Sequence, residues 1–219
     1  MPEVLPDLTR KTVLAMTYVP GQPIETIVEL PQQERDRVMT ALVELMFMEM
    51  FALRMVQTDP NFANYQYHAE TGEIVLLDFG ATRKFKAAFA NNYRKLAAAT
   101  MAGDENRVLA YAEKLGYVVN EADEEYRQLV LRMIMTVLEP LSIDEPYDFA
   151  RSDIAKRMSE MAEDVTNFRE YWQAPPTDMV YFHRKLGGMF LLVSRVRARV
   201  NVHQLIQRFL DGATLTVKG

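Results

Sequence analysis

From position 31 to about position 56 the sequence runs without a single glycine or proline after Pro31. Pro31 suits a helix start, where its missing N–H has no partner to lose. Residues 32–37 are polar, but from Ala41 onward apolar side chains fall on nearly every face: Leu42, Val43, Leu45, Met46, Phe47, Met48, Met50, Phe51, Leu53 and Met55. A helix of that kind must be enclosed by other elements. The predicted spine over 31–56 therefore obliges the rest of the chain to wrap around it. With 219 residues, 49% of them apolar, the chain has the material to do so as one domain or a large part of one.

Around the spine the signals are a little β and then a great deal of α. Residues 12–19 (TVLAMTYV) are β-rich and close on Pro20-Gly21, as a strand entering a turn does. Short β-type runs at 65–67 and 73–77 flank Ala69-Glu70-Thr71-Gly72, a compact hairpin signal. After Gly80 the pattern is helical over 85–101, 104–115, 121–138, 154–163 and 179–200, with Asp104 as a cap and Gly116 as a stop. The fold class expected is mainly α, α+β overall.

Composition excludes several functions. A net charge of −5 offers no basic field for nucleic acid. The absence of cysteine rules out disulfides and thiolate metal sites. Residues 1–11 lack an apolar leader, so secretion is not expected. The apolar run 189–193 is far too short to span a bilayer, which leaves peripheral attachment as the membrane option.

Three side chains carry the chemistry. Asp59 follows the predicted spine in Gln57-Thr58-Asp59-Pro60-Asn61-Phe62-Ala63-Asn64, giving D-x-x-x-x-N. Asp78 ends a β run in Leu77-Asp78-Phe79-Gly80. A hairpin between the two loops returns Asp78 to the neighbourhood of Asn64. Phosphoryl transfer asks for such a set. Mg²⁺ takes hard oxygen ligands and keeps several waters, so one carboxylate and one amide oxygen suffice beside the nucleotide phosphates. A second carboxylate must stand off the metal to orient or deprotonate the nucleophile. Protein kinases divide these roles between the catalytic-loop aspartate and asparagine and the aspartate of D-F-G. Gly80 is expected to supply backbone angles closed to other residues. The bland alternative makes Asp59 and Asn64 turn residues and Asp78 a strand-end cap.

The segments Gln57-Thr58-Asp59-Pro60-Asn61 and Leu77-Asp78-Phe79-Gly80-Ala81-Thr82-Arg83 resemble the UbiB (AarF) atypical-kinase family, in particular its ubiquinone-biosynthesis branch. Residues 144–149 (DEPYDF) and 183–188 (HRKLGG) are also similar to family segments, so the resemblance covers essentially the whole chain. It departs from bacterial relatives in having Gln57-Thr58 where they more often carry His-Ala. The resemblance implies a protein-kinase-like C-lobe with a small β element. It implies Asp59 as the base or water-orienting residue and Asn64 and Asp78 as Mg²⁺ ligands. Met16, Thr17 and Val19 are implied as the hinge that meets adenine, although periodicity alone fits an edge strand equally well.

The family's K-x-G-Q insert and alanine-rich loop are not found in these 219 residues, and Lys11, the only lysine ahead of the hinge, reads as a solvated turn residue. Residues 1–21 are therefore expected to be a remnant of the N-lobe strands and hinge, with the N-lobe largely missing, and 22–219 the helical C-lobe. The implied activity is Mg-ATP binding with hydrolysis or phosphoryl transfer in support of ubiquinone biosynthesis. ATP binding by this chain alone is expected to be weak or absent, and the chain alone inactive. Expected partners are ATP, a lipid or quinone precursor, other biosynthetic proteins, and a second copy through the unpaired edge at 12–19. The expected location is cytoplasmic or membrane-peripheral, mitochondrial in a eukaryote. Two other readings stay open: a non-catalytic interaction or lipid-docking module, and a small-molecule kinase of aminoglycoside or choline type.

Three further features are weighed. Gly187-Gly188 inside a helix costs about 1 kcal/mol per glycine, which points to close packing against another element. Arg184, Lys185, Arg195, Arg197 and Arg199 read as a solvated basic face paired with the acidic stretches 121–125 and 160–164. The 14 methionines read as core filler.

Overall fold

The computed structural model describes residues 1–119, 122–171 and 173–210. Strand β1 (Gln22–Pro23) and a 3-10 turn (Ile24–Glu29) that buries Ile24 and Ile27 lead into the spine. Helix α1 (Gln32–Phe47) is that spine, with Val38, Met39, Leu42, Val43, Met46 and Phe47 buried along it. It then widens into a π-turn, Met48–Leu53, in which Glu49, Met50 and Phe51 are consecutively buried. Arg54, at φ 54°, ends the helix, since a left-handed residue cannot continue it.

The helix predicted to residue 56 is thus too long. Met55–Gln57 is strand β2, followed by a 3-10 turn (Phe62–Asn64) and by β3 (Tyr65–His68), β4 (Glu73–Leu76) and β5 (Thr82–Lys84). β3 and β4 form the predicted hairpin, with Tyr65 opposite Leu76 and His68 opposite Glu73, and β1 joins the free edge of β3. β2 pairs antiparallel with β5, Val56 opposite Arg83. That non-local pairing overrides the helical pattern of residues 55–57.

Residues 12–19 are too sparsely paired to form the predicted strand. Isolated bridges join Val4 to Met16 and Arg10 to Val13. The Leu5 N–H donates to the Ala15 carbonyl at 2.8 Å and the Thr17 N–H to that of Glu3 at 2.9 Å. The segment folds back on the chain's own first residues, and Val13, Leu14, Met16 and Tyr18 remain exposed.

The remainder is helical. α2 (Ala87–Met101) and α3 (Glu105–Leu115) form an antiparallel pair. Asp104 caps α3 by accepting from the Arg107 N–H at 3.1 Å, and Gly116 stops it at φ 88°, both as predicted. α4 (Glu124–Val137) is capped by Asp123; residue 121, the expected start, lies outside the described residues. α5 (Glu139–Ser142), β6 (Tyr147–Asp148), α6 (Ile154–Val165) and α7 (Thr177–Arg195) follow. The helix predicted over 179–200 ends earlier, because Arg197 is left-handed and β7 (Arg199–Val200) pairs with β6. α8 (Val202–Leu210) closes the described chain. Its Phe209 ring lies 6.0 Å from Phe47 and 6.2 Å from Phe51, locking the last helix onto the spine. The class is mainly α with small sheets, as expected. Among the described residues no helix is long and apolar enough to cross a membrane.

Candidate functional site

β2 carries the chain out of the core to Asp59, the β3–β4 hairpin returns it at Leu77, and β5 pairs back onto β2. Two loops, 58–64 and 77–81, consequently emerge side by side. Four hydrogen bonds tie them. The Leu77 N–H donates to the Asn64 carbonyl at 3.1 Å, and the Thr58 N–H and hydroxyl both donate to the Ala81 carbonyl, at 3.2 and 2.8 Å. The Gln57 side-chain amide reaches the Asp78 carbonyl at 3.4 Å. Gln57 and Thr58 are buried under the loops; their sequence position beside Asp59 marked them, but nothing there announced this tethering role.

Asp59 sits half-buried with both carboxylate oxygens in use. One accepts the Asn61 N–H at 3.4 Å and the other the Asn64 side-chain NH₂ at 2.9 Å. Asn64 is buried, and because its nitrogen faces Asp59 its amide oxygen is turned the other way. Asp78 is exposed; one of its oxygens accepts the Gly80 N–H at 2.7 Å. Gly80 does not adopt a positive φ, contrary to expectation. A Cβ there would lie 3.0 Å from the Asp78 carboxylate oxygen, a tight contact that a small shift of that side chain relieves.

The structure therefore brings Asp59 and Asn64 into contact and ties the Asp78 loop to Asn64. The fit to Mg²⁺ rests on the donor set. An amide oxygen turned from Asp59 and a carboxylate oxygen not engaged by Gly80 are both hard donors. Among the described residues no group of three or more His, Asp or Glu forms a ready cage, so nucleotide oxygens and water would complete the shell.

The hinge residues lie elsewhere. Met16 and Thr17 contact Val4 and Glu3. Val19 borders a cleft with Arg37 and residues 71–75 at the turn of the hairpin. That turn is about 13 Å, four residues of strand, from the Asn64–Leu77 end. A second shallow cleft, about 490 Å³, abuts the 59–64 loop and is lined by Pro23, Glu25, Pro60, Asn61, Phe62, Ala63 and Gln66.

Behind the loops lies α7. Its Lys185, expected on a solvated face, is 3% exposed. The ammonium is 3.2 Å from the Glu49 carboxylate and donates to the Tyr65 hydroxyl at 2.7 Å. Burial raises the pKa of Glu49, and Lys185 and the Gln57 backbone act against that rise. Gly188 fulfils the close-packing expectation, since a Cβ there would come 2.7 Å from Pro60; Gly187 has open space. Arg83 reaches α7 too, bonding Asp178 at 2.9 Å with its guanidinium over Tyr181. Of the other basic residues, Arg199 pairs with Asp148, not with the acidic stretches.

Among curated proteins the chain is 30% identical over 220 residues to "Atypical kinase coq-8, mitochondrial" of Caenorhabditis elegans, covering 97% of this chain and 29% of that protein. It is 31% identical to "Atypical kinase COQ8B, mitochondrial" of Rattus norvegicus, covering 94% and 39%. For "Atypical kinase COQ8, mitochondrial" of Saccharomyces cerevisiae the identity is 29%, covering 94% and 41%. The chain thus spans between 29% and 41% of the length of these relatives. Among solved structures, Rv3197 of Mycobacterium tuberculosis, determined in complex with erythromycin, superposes with a TM-score of 0.73 at 17% identity, covering 97% of this chain and 52% of that one, a likeness of fold. The model of the ABC1 atypical kinase-like domain matches residues 1–112, a stretch that holds Asp59, Asn64 and Asp78. The chain belongs to the ABC1 atypical kinase-like family.

Proposed function

We propose that the chain forms the metal–nucleotide side of a kinase-like site, with Mg²⁺ and ATP as its ligands. Asn64 and Asp78 hold the ion through oxygen, and Asp59 orients or deprotonates the attacking group. When bound, Mg²⁺ neutralises charge on the phosphates. The rest falls to the chain: the Asn64 bond fixes the Asp59 carboxylate, and the tethers to Ala81 and Leu77 hold the two loops at one spacing. Met16, Thr17 and Val19 are assigned to the adenine edge. Residues 1–21 act as the strand-and-hinge segment and 22–219 as the helical lobe. The observation that carries this reading is the hydrogen-bonded junction of the two loops at Asn64.

By likeness to its mitochondrial relatives, the proposed setting is the ubiquinone-biosynthesis branch of the family, with a lipid or quinone precursor and other biosynthetic proteins as partners and a cytoplasmic, membrane-peripheral or mitochondrial location. Kinase-type turnover calls for a lysine on the nucleotide phosphates, and Lys11, the only lysine ahead of Lys84, is an exposed turn residue, so the chain alone is proposed to bind ATP weakly and to turn it over slowly. An interaction module is the second reading, favoured by the exposed Val4, Leu8, Val13, Leu14 and Tyr18.

Titration calorimetry with ATP tests the assignment. Affinity is expected to require Mg²⁺ and to fall about tenfold or more in Asp78→Ala, the scale of losing a charge-assisted contact. Equal affinity in EDTA, or no loss in Asp78→Ala, overturns it.

A further inference from the structure

Two residues of helix α7, Lys185 and Gly188, touch the 59–64 loop and the segments on either side of it. Glu49, in the π-turn ahead of β2, is 7% exposed and faces Lys185 at 3.2 Å. Tyr65, immediately after Asn64, is 7% exposed and accepts the Lys185 ammonium at 2.7 Å. Pro60, immediately after Asp59, fills the space left by Gly188. Lys185 and Gly188 are three residues apart in a helix and so share a face. One face of one helix therefore holds the π-turn ahead of β2, the loop at Pro60 and the first residue of β3.

Cohesion alone does not explain the charge. Moving two ions out of water costs several kcal/mol per ion, and well-packed apolar residues in their place are often as stable or more so. A lysine head group also offers what an apolar side chain cannot, namely fixed directions to two acceptors at once. Here the acceptors lie in the π-turn that precedes β2 and at the start of β3, the segments on either side of the loop.

We propose that Lys185 is a positioning residue: by bonding Tyr65 and pairing with Glu49 it fixes where Asp59 and Asn64 stand, while Gly188 provides the notch that seats Pro60. The inference rests on reading residues 59–64 as the loop that acts at the phosphates.

Two variants of the full chain test it by amide hydrogen exchange and thermal unfolding. Tyr65→Phe removes one hydroxyl and leaves the ring and the ion pair. Glu49→Leu with Lys185→Met replaces the pair by apolar residues of similar size. The readout is the exchange of the Thr58, Ala63, Asn64 and Leu77 amides, all hydrogen-bonded within the paired loops, measured against amides of α2. In both variants these four are expected to exchange about tenfold faster while α2 and the unfolding temperature hold, tenfold being what loss of one charge-assisted bond amounts to. Unchanged loop exchange in either variant overturns the proposal. Should the double variant fail to fold, Tyr65→Phe decides alone. A parallel ATP titration of the unaltered chain keeps the two ideas apart: absent Mg²⁺-dependent binding counts against the proposed function, whereas the exchange rates judge Lys185.

Discussion

Asn64 donates its side-chain NH₂ to the Asp59 carboxylate at 2.9 Å, and this single bond decides which end of the amide is left for anything else. An aspartate at position 64 would place two carboxylates at that spacing. One of them must then keep a proton, which raises its pKa. A raised carboxylate pKa means the folded state binds more protons than the unfolded one, so stability climbs as pH falls through the raised value. Asn64→Asp is expected to lose about 1–3 kcal/mol at neutral pH and to regain it on acidification. Thermal unfolding across pH checks this; a loss that does not shrink in acid would show that the bond is not the cause.

Steady-state ATP hydrolysis by the chain alone is expected to fall well below about 1 s⁻¹, the lower end for kinases. The reason is the phosphate lysine that kinase chemistry uses, for which exposed Lys11 is the only candidate ahead of Lys84. Turnover at or above that rate, abolished in Asp78→Asn, would refute the expectation.

The two neighbouring glycines of α7 should respond in opposite directions. Gly187→Ala meets open space and gains helix propensity, up to about 1 kcal/mol. Gly188→Ala drives a Cβ to 2.7 Å from the Pro60 Cβ and 3.2 Å from its Cα, and overpacking of that kind costs about 1–3 kcal/mol. Denaturant midpoints for the two variants report the difference directly.

Glu34 links α1 to the hairpin. Its bonds to Arg37, then to the Tyr67 hydroxyl at 2.7 Å, lower its pKa to about 2 from an ordinary 4.5. A depressed carboxylate stabilises the fold above its unfolded pKa and stops doing so as pH drops through its folded value. The contribution is therefore present at pH 4.5 and lost toward pH 2. Since Arg37 is half exposed, screening limits it to about 1 kcal/mol. In Glu34→Gln the acid side of the stability profile should be flatter; an unchanged profile would assign the acid transition to other groups.

Self-association through the N-terminal segment is expected to weaken in Leu14→Lys. Leu14 is 61% exposed, so the change should leave folding within about 0.5 kcal/mol of the original. Light scattering after size exclusion over a concentration series gives the answer, and a monomer at every concentration would dispose of the idea.

Local signals carried most of what could be read from the sequence. Asp104 and Gly116 bound α3 because a cap and a left-handed stop act within one turn. The hairpin was legible for the same reason, and its placement accounts for the pairing of the loop that holds Asp59 and Asn64 with the loop that holds Asp78. What escaped depends on distant partners. Residues 55–57 keep a helical pattern yet pair with β5. Lys185 looks like any surface lysine until Glu49 is placed opposite it. No local signal set it apart, since His183 and Arg184 precede it directly in the same helix.

The π-turn at Met48–Leu53 sets the phase of everything downstream. Each residue rotates an α-helix by about 100°, and a π-turn holds one residue more than its neighbours. The extra residue lets α1 keep its own buried stripe while Glu49 turns toward Lys185 and Val56 enters the core. Deleting any one residue of this six-residue stretch would straighten the helix and swing β2, the loop and the Asp59 carboxylate out of alignment with α7. Chain length is accordingly held more tightly here than side-chain identity, so a substitution at Ala52 is tolerated where a deletion at Ala52 is not.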